Sequence, residues 1–340
     1  MSDVLLGVCM QGIRNGIEKM RNKGIPEDQI IIGINETLQP AIEAMLNEAV
    51  KDITTDAKNQ MYEYVHYAEA EDAEFLARQE QKWGKCFTAS RMMYNIATEA
   101  AEMLCEYISE LDEEKYSEKQ YTFFVLKHLH GRACQEYLEI LTLMRAGFAD
   151  GAYARWRSMY ELCCIAEFIK QHGEAIAKQY YEQSETEEQG YSWTNGVVDN
   201  KGKTIRTFKQ IQDMCMINDV WRSQYKLGCF VNHASPQGTF GRMATGCPSS
   251  AIPVGRSDYG LILPAEHSSI CLAWISANFL SLFTHADSIA IIYVLNNWMD
   301  YIRELYLSTH DIVFQDMIKN GIIEPLWKKE ENRQESRMDN

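Results

Sequence analysis

The chain has 340 residues, of which 46% are apolar and 24% are charged, and this composition excludes an intrinsically disordered protein. The formal net charge is -15 and the pI is near 5.1. Such a chain repels polyanions, which excludes binding of nucleic acid over the whole surface and leaves only a local basic patch for that role.

The cysteines and the most apolar segment predict a cytoplasmic protein that does not span a membrane. The ten cysteines show no C-x-x-C spacing, and free thiols in a reducing compartment are their simplest interpretation. The N-terminal sequence has no basic region ahead of an apolar run, so it does not predict a signal peptide. The most apolar run, CLAWISANFLSLF at 271–283, is too short for a bilayer and predicts a buried helix.

Helical spacing of apolar residues runs through most of the chain and predicts an all-α protein, a multi-helix bundle. Gly24 and Pro26 separate the first two predicted helices, because glycine ends a helix well and proline fits at a helix start. The N-terminal helices are predicted over residues 3–23, 27–52, 56–83 and 86–111.

A polar, acidic segment, LDEEKYSEK at 111–119, is the best candidate linker. It divides the chain into an N-terminal helical segment, 1–115, and a helical core, 116–320. The remaining residues, 321–340, form a polar tail that has too few apolar side chains to fold by itself.

The segment GFADGA predicts a tight hairpin between two helices of the core. Gly147 suits the C-terminal cap of a helix over 121–145, and Asp150 suits the N-terminal cap of the next. The helix that follows, 151–172, is apolar on nearly all sides between Met159 and Ile169. We therefore expect this helix to lie centrally in the core.

Residues 228–264 contain six of the twenty glycines and four of the seven prolines. This density predicts a long, mostly non-helical loop rather than a sheet, and loops of such length are often functional. The helical pattern returns after Pro264 and continues to Lys319.

The central helix carries charges that need partners. Arg157 and Glu161 are four residues apart and share a face, whereas Arg155 points about 160° away from Arg157. Buried charges are costly unless they are paired, so loss of Glu161 would destabilise the fold by on the order of 3–5 kcal/mol. One interpretation is an ion-pair network with Glu136, Glu139, Glu161 or Glu167, and the other is a substrate or phosphate site.

His233 is the second candidate site residue, at the predicted border between a helix and the glycine-rich loop. A histidine there suits a general acid or base, and equally a capping role. Residues 198–262 carry eight Lys or Arg and four Asp, a net +4, against -19 for the rest of the chain. An anion would bind in this basic region, for which we nominate Arg222, Lys226 and Arg242.

Metal and cofactor chemistry is not predicted. His128, His130 and Cys134 have loosely ligand-like spacing, but a second ligand pair is missing from the sequence. Cys229 and His233 could meet at helical spacing as nucleophile and base, yet the sequence holds no sign of an activated thiol.

Four separated blocks resemble an uncharacterised bacterial family known only as a domain of unknown function. The blocks are RAGFADGAYARWRSMYELCCIAEFI, GEAIAKQYYEQ, YKLGCFVNHASPQG and SDYGLILPAE, and they fall in order within residues 120–310. Through that family the chain is distantly similar to the HEPN superfamily, helical proteins common in toxin–antitoxin and phage-defence systems.

The HEPN similarity implies a HEPN-like core, a homodimer and metal-independent RNA cleavage by an Arg and a His of each protomer. His233 matches the histidine of that motif, but Arg222 lies eleven residues upstream, farther than the motif allows. Arg155 or Arg157 would then supply the positive charge. We therefore carry two hypotheses. One is a ribonuclease or nucleotide-phosphate-acting toxin with His233, Arg155, Arg157 and Glu161 at its site. The other is a non-enzymatic protein that binds a small anion or a partner.

Overall fold

In the computed structural model, the residues whose structure is described are 2–216, 219–232, 235–241, 254–283 and 285–323. Side chains are described for all of these except 2–9, 34–42, 219–220 and 231–232. The secondary structure of the described ranges is helical, without a β-strand, and this confirms the prediction of an all-α multi-helix bundle.

The helices are labelled in chain order. They are α1 Ser2–Asn22, α2 Glu27–Ser109, α3 Glu113–Ser117, α4 Gln120–Arg145, α5 Ala149–His172, α6 Glu174–Gln183, α7 Phe208–Met214, α8 Asp219–Asn232, α9 Pro236–Phe240, α10 Ile262–Leu280, α11 Ala286–Val313 and α12 Gln315–Lys319.

Helix α2 is continuous where the sequence predicted three helices, so those breaks were wrong. The gaps between the predicted helices contain Thr54, Thr55 and Gly84, whose helix propensities are lower than that of alanine by about 1 kcal/mol or less each. Thr55 stays within the helix by donating its hydroxyl proton to the carbonyl of Lys51, at 2.8 Å. Such small penalties do not end a helix when no proline is present among them.

The chain divides into two compact units, Met1–Ala73 and Glu74–Asn340. In the first unit, α1 and the start of α2 are joined by a turn in which Gly24 has a φ of 71°. Ile30 of this unit is buried, and Arg21 forms an ion pair with Glu27 at 2.6 Å. The domain boundary predicted near residue 115 stays a prediction.

The second unit has one apolar core, and α5 lies at its centre, as its sequence predicted. Helix α5 packs against α4, α6, α7, α8 and α10. Trp156, Tyr160 and Phe168 of α5 are completely buried. The later part of α2 supplies Trp83 and Phe87 to the same core. Because its neighbours surround α5, only a narrow strip of that helix reaches the solvent.

The apolar run at 271–283 begins inside α10, which packs against α4, α5 and α11. Buried serines on α10 are bonded internally, and Ser269 lies 3.2 Å from the hydroxyl of Tyr137. This confirms the prediction of a buried helix. Among the helices described, none has the length and apolarity needed to cross a bilayer.

The α4–α5 hairpin is the tight turn that GFADGA predicted. Gly147, with a φ of 80°, follows the last turn of α4. Its amide donates to the carbonyl of Met144 at 3.0 Å, and the amide of Phe148 donates to that of Leu143 at 2.8 Å. These two bonds form a Schellman motif. The predicted capping role of Asp150 was wrong, because α5 begins at Ala149 and Asp150 lies in its first turn.

We expect alanine to have opposite effects at the two glycines of this hairpin. At Gly147 it would adopt a left-handed conformation, with its Cβ 2.6 Å from Cζ of Phe75, and should destabilise the fold by about 2 kcal/mol. At Gly151 the nearest atom would be 3.7 Å away, so helix propensity should stabilise by about 0.5–1 kcal/mol. Urea unfolding of the two variants measures both. Equal effects would contradict this account.

Parts of the loop predicted over 228–264 are helical. Helix α8 continues to Asn232, α9 covers Pro236–Phe240, and α10 begins at Ile262. Gly228 lies within α8, at a point where this helix packs on α5. A Cβ at Gly228 would lie 3.5 Å from side-chain atoms of both Trp156 and Arg157. Residues 242–253 lie outside the described ranges.

Candidate functional site

The exposed strip of α5 forms the floor of an open cleft. Gly151, Ala154 and Ser158 follow one another at helical spacing, and their small side chains leave a space of about 440 Å³. Arg155 borders the strip on one side and Arg157 on the other. The two arginines are separated by about 160° around the axis of α5. Because the exposed sector of α5 lies between them, both arginines border the same cleft.

Arg155 is held by carboxylates of α4. Its Nη2 atom lies 3.4 Å from Oε1 of Glu136, and its Nε atom lies 2.5 Å from Oε2 of Glu139. The same Oε1 of Glu136 accepts hydrogen bonds from Arg132 and from the hydroxyl of Ser158, each at 3.1 Å. Glu136 has no exposed surface. This side of the cleft is therefore anchored by a fully buried carboxylate.

Arg157 is held by Glu161 and by Tyr225 of α8. Its Nη2 atom lies 3.0 Å from Oε1 of Glu161 and donates to the Tyr225 hydroxyl at 3.1 Å. Tyr225 donates in turn to Glu161 at 2.7 Å. Burial acts to lower the pKa of Arg157, but the Tyr225 hydrogen bond and the Glu161 charge outweigh it and raise that pKa. Arg157 thus stays charged in a fixed orientation.

The two anchoring carboxylates differ in burial. Glu161 keeps 34% of its side chain exposed, and Arg157 keeps 29%. Water can therefore solvate either partner when the other is removed, so we expect less destabilisation from loss of Glu161 than the sequence predicted. Glu136 is the carboxylate that the core surrounds. Its four-residue spacing from Arg132 and its apolar neighbours were the available sequence signal.

The structure brings together three of the predicted site residues, Arg155, Arg157 and Glu161. Arg222 lies elsewhere and pairs with Asp213 of α7 at 3.2 Å, and Lys226 is an exposed residue of α8. His233 and Arg242 lie outside the described residues. The anion-binding role of the basic region therefore stays a prediction.

His130 and Cys134 serve the packing of α4. Nε2 of His130 lies 2.9 Å from the hydroxyl oxygen of Ser276, and the sulfur of Cys134 lies 3.8 Å from the ring. Burial lowers the pKa of His130 to about 4 and raises that of Cys134 to about 12. Within the described residues, His, Cys, Asp and Glu side chains form no group of three or more that could hold a metal ion.

Sequence reasoning missed a small aromatic pocket of about 80 Å³. The carboxylate of Glu167 binds two parts of its wall, the Met216 amide at 2.7 Å and the Trp274 indole N–H at 3.1 Å. Three separate segments supply the wall, so no local spacing could reveal it. The lining residues are Tyr160, Cys163, Met216, Trp221, Ile270, Cys271 and Trp274.

Comparison with known proteins finds one family that is similar to part of this region. A family model described as "Family of unknown function (DUF5677)" matches residues 123–195. These residues include most of α4, all of α5 and α6, and therefore Glu136 and both cleft arginines. No curated protein and no solved structure matches the chain. The resemblance to a family of unknown function is thus supported over 123–195, and the distant HEPN similarity stays a hypothesis.

Proposed function

We propose that this chain is a non-enzymatic binding protein whose α5 cleft takes a small anion. One observation carries the proposal: two guanidinium groups, about one-third exposed, border a floor of small residues and are oriented by carboxylates on either side. A planar guanidinium suits a carboxylate or a phosphate, and an oriented one loses less entropy when it binds.

The charges of the cleft favour a small anion over a long polyanion. Arg132, Arg155 and Arg157 are balanced by Glu136, Glu139 and Glu161, so these side chains carry no net positive charge. A polyanion would meet an overall acidic surface around a neutral cleft. A single anionic group needs only to take the place of Glu161 on Arg157, because the hydrogen bond to the Tyr225 hydroxyl still orients the guanidinium. A partly exposed ion pair is typically worth about 1 kcal/mol or less, so this exchange costs little.

The binding proposal is tested by titrating the chain with inorganic phosphate and, separately, with succinate, following chemical shifts of arginine side chains. We expect saturable binding that Arg155→Gln and Arg157→Gln each weaken about tenfold or more, because each loses a charge-assisted contact. Arg303→Gln is the matched control, since Arg303 is 29% exposed and pairs with Glu266 at 2.8 Å away from the cleft. Equal weakening by the control, or no saturation, would refute the proposal.

A second candidate is a metal-independent ribonuclease or nucleotide-phosphate-acting toxin, in a homodimer of HEPN type. The packing of α8 on Arg157 favours it, because α8 ends at Asn232, directly before His233 in the chain. In this proposal His233 acts as general acid and base, and Arg155 or Arg157 stabilises phosphate charge. Proton transfer of this kind contributes about 10²–10⁴-fold to a rate.

Toxicity to cells and cleavage of RNA distinguish the two candidate functions. Under induced expression, a toxin should stop cell growth, and the purified chain should degrade RNA in the presence of a chelator. His233→Ala should abolish both effects and leave the melting temperature unchanged. A wild-type chain that is harmless and leaves RNA intact rules out the ribonuclease, and saturable phosphate binding by that same chain supports the binding protein.

A further inference from the structure

The second part of α2 carries an apolar stripe that lies in water. Every residue from 51 to 71 is exposed, although this stretch contains several large apolar side chains. Seven residues spaced three or four apart fall within about 40° of one line along the helix. They are Leu46, Val50, Ile53, Ala57, Met61, Tyr64 and Ala68, and the large ones are between 42% and 68% exposed.

A helix in this state has little to stabilise it. Helices in proteins owe most of their stability to packing of an apolar face, and an isolated helix is marginal in water. The stripe repeats after eleven residues, from Val50 to Met61 and from Ile53 to Tyr64. A repeat of eleven residues is typical of helices that pair along their length in a right-handed supercoil. The spacing therefore suits a second helix lying along this face.

The charges beside the stripe identify the second helix. Lys51 and Lys58 lie on one flank, about 100–120° from its centre, whereas Asp52, Asp56 and Glu63 lie on the other. When two copies pair in parallel and in register, the lysine flank of each faces the acidic flank of its partner. In an antiparallel pair, lysine would face lysine and acid would face acid. Charged residues beside such a seam commonly set partner and orientation.

We propose that residues 46–68 of α2 pair with the same residues of a second copy as a parallel, in-register homodimer. Lys51 then faces Asp56 of the partner subunit, and Lys58 faces Glu63 of the partner subunit. This surface shares no residue with the α5 cleft, and the proposal does not depend on the function assigned to that cleft.

The first test is the mass of the full chain in solution by light scattering. We expect a dimer of two 39.2 kDa chains. Ile53→Glu and Tyr64→Glu should each raise the dimer Kd on the order of 100-fold or more, because they place an unpaired charge in the seam. Tyr62→Glu is the matched control, since Tyr62 lies about 140° from the stripe and should leave the dimer intact. A monomeric wild type, or a dimer unaffected by Ile53→Glu, overturns the proposal.

The second test decides the orientation. Lys58→Glu should weaken the dimer, and adding Glu63→Lys should restore it, because the reversed pair still faces across a parallel seam. Under mild oxidation, Val50→Cys should form a crosslinked dimer with itself, beyond the level of the wild type. If it instead crosslinks only with a Tyr64→Cys chain, the pair is antiparallel and the proposed arrangement is wrong. Circular dichroism of each variant reports whether the helices remain folded.

Discussion

Replacing Glu136 with alanine is expected to lower the free energy of unfolding by about 2–4 kcal/mol, mainly because it removes a fully buried side chain from the core. Glu136 is fully buried. Its Oε1 atom lies within 3.4 Å of a side-chain donor atom of each of Arg132, Arg155 and Ser158. Removing it leaves a cavity, and it takes from Ser158 its hydrogen-bond acceptor and from Arg155 one of its two carboxylate partners. Urea unfolding at neutral pH measures the loss.

The neighbouring carboxylate gives the control for this prediction. Glu139 also pairs with Arg155, but 39% of its side chain is exposed. Its replacement by alanine should therefore cost about 1 kcal/mol or less. If Glu136→Ala and Glu139→Ala proved equally mild, the buried carboxylate would not anchor the cleft, and the pre-organisation that the binding proposal requires would be lost.

Acidification from about pH 6.5 to about pH 4 is expected to destabilise the protein through two buried histidines. Burial lowers the pKa of His130 to about 4, and burial together with the charge of Arg303 lowers that of His267 to about 4. The unfolded state therefore binds a proton in this window while the folded state does not. Stability falls as pH falls, by about 1.4 kcal/mol per pH unit for each histidine.

A His130→Leu variant isolates one of these contributions. Its unfolding free energy, measured in urea at several values between pH 4 and pH 7, should fall less steeply than that of the wild type. Over the whole window the difference should reach on the order of 3 kcal/mol, and above pH 7 it should no longer change with pH. Parallel curves for the two proteins would show that the pKa of His130 is the same in the folded and the unfolded state.

The geometry of the cleft could be predicted only in part from the sequence of α5 alone. Spacing along α5 placed Arg157 beside Glu161 and turned Arg155 away, and both statements hold in the structure. The spacing did not show which sector of α5 is open, because that depends on where α4, α8 and α10 lie against it. The same limit hid the difference between Glu136, which α4 and α5 enclose, and Glu161, which keeps contact with water.

The sequence by itself determined the all-α class, the α4–α5 hairpin and the central position of α5. These follow from local physics, since apolar periodicity selects a helix and Gly147 supplies the conformation that a tight turn needs. Only the tertiary structure decided that Glu136 is the buried anchor and that Tyr225 holds Arg157. Those outcomes depend on contacts between residues far apart in the chain, which the spacing of residues along one helix does not specify.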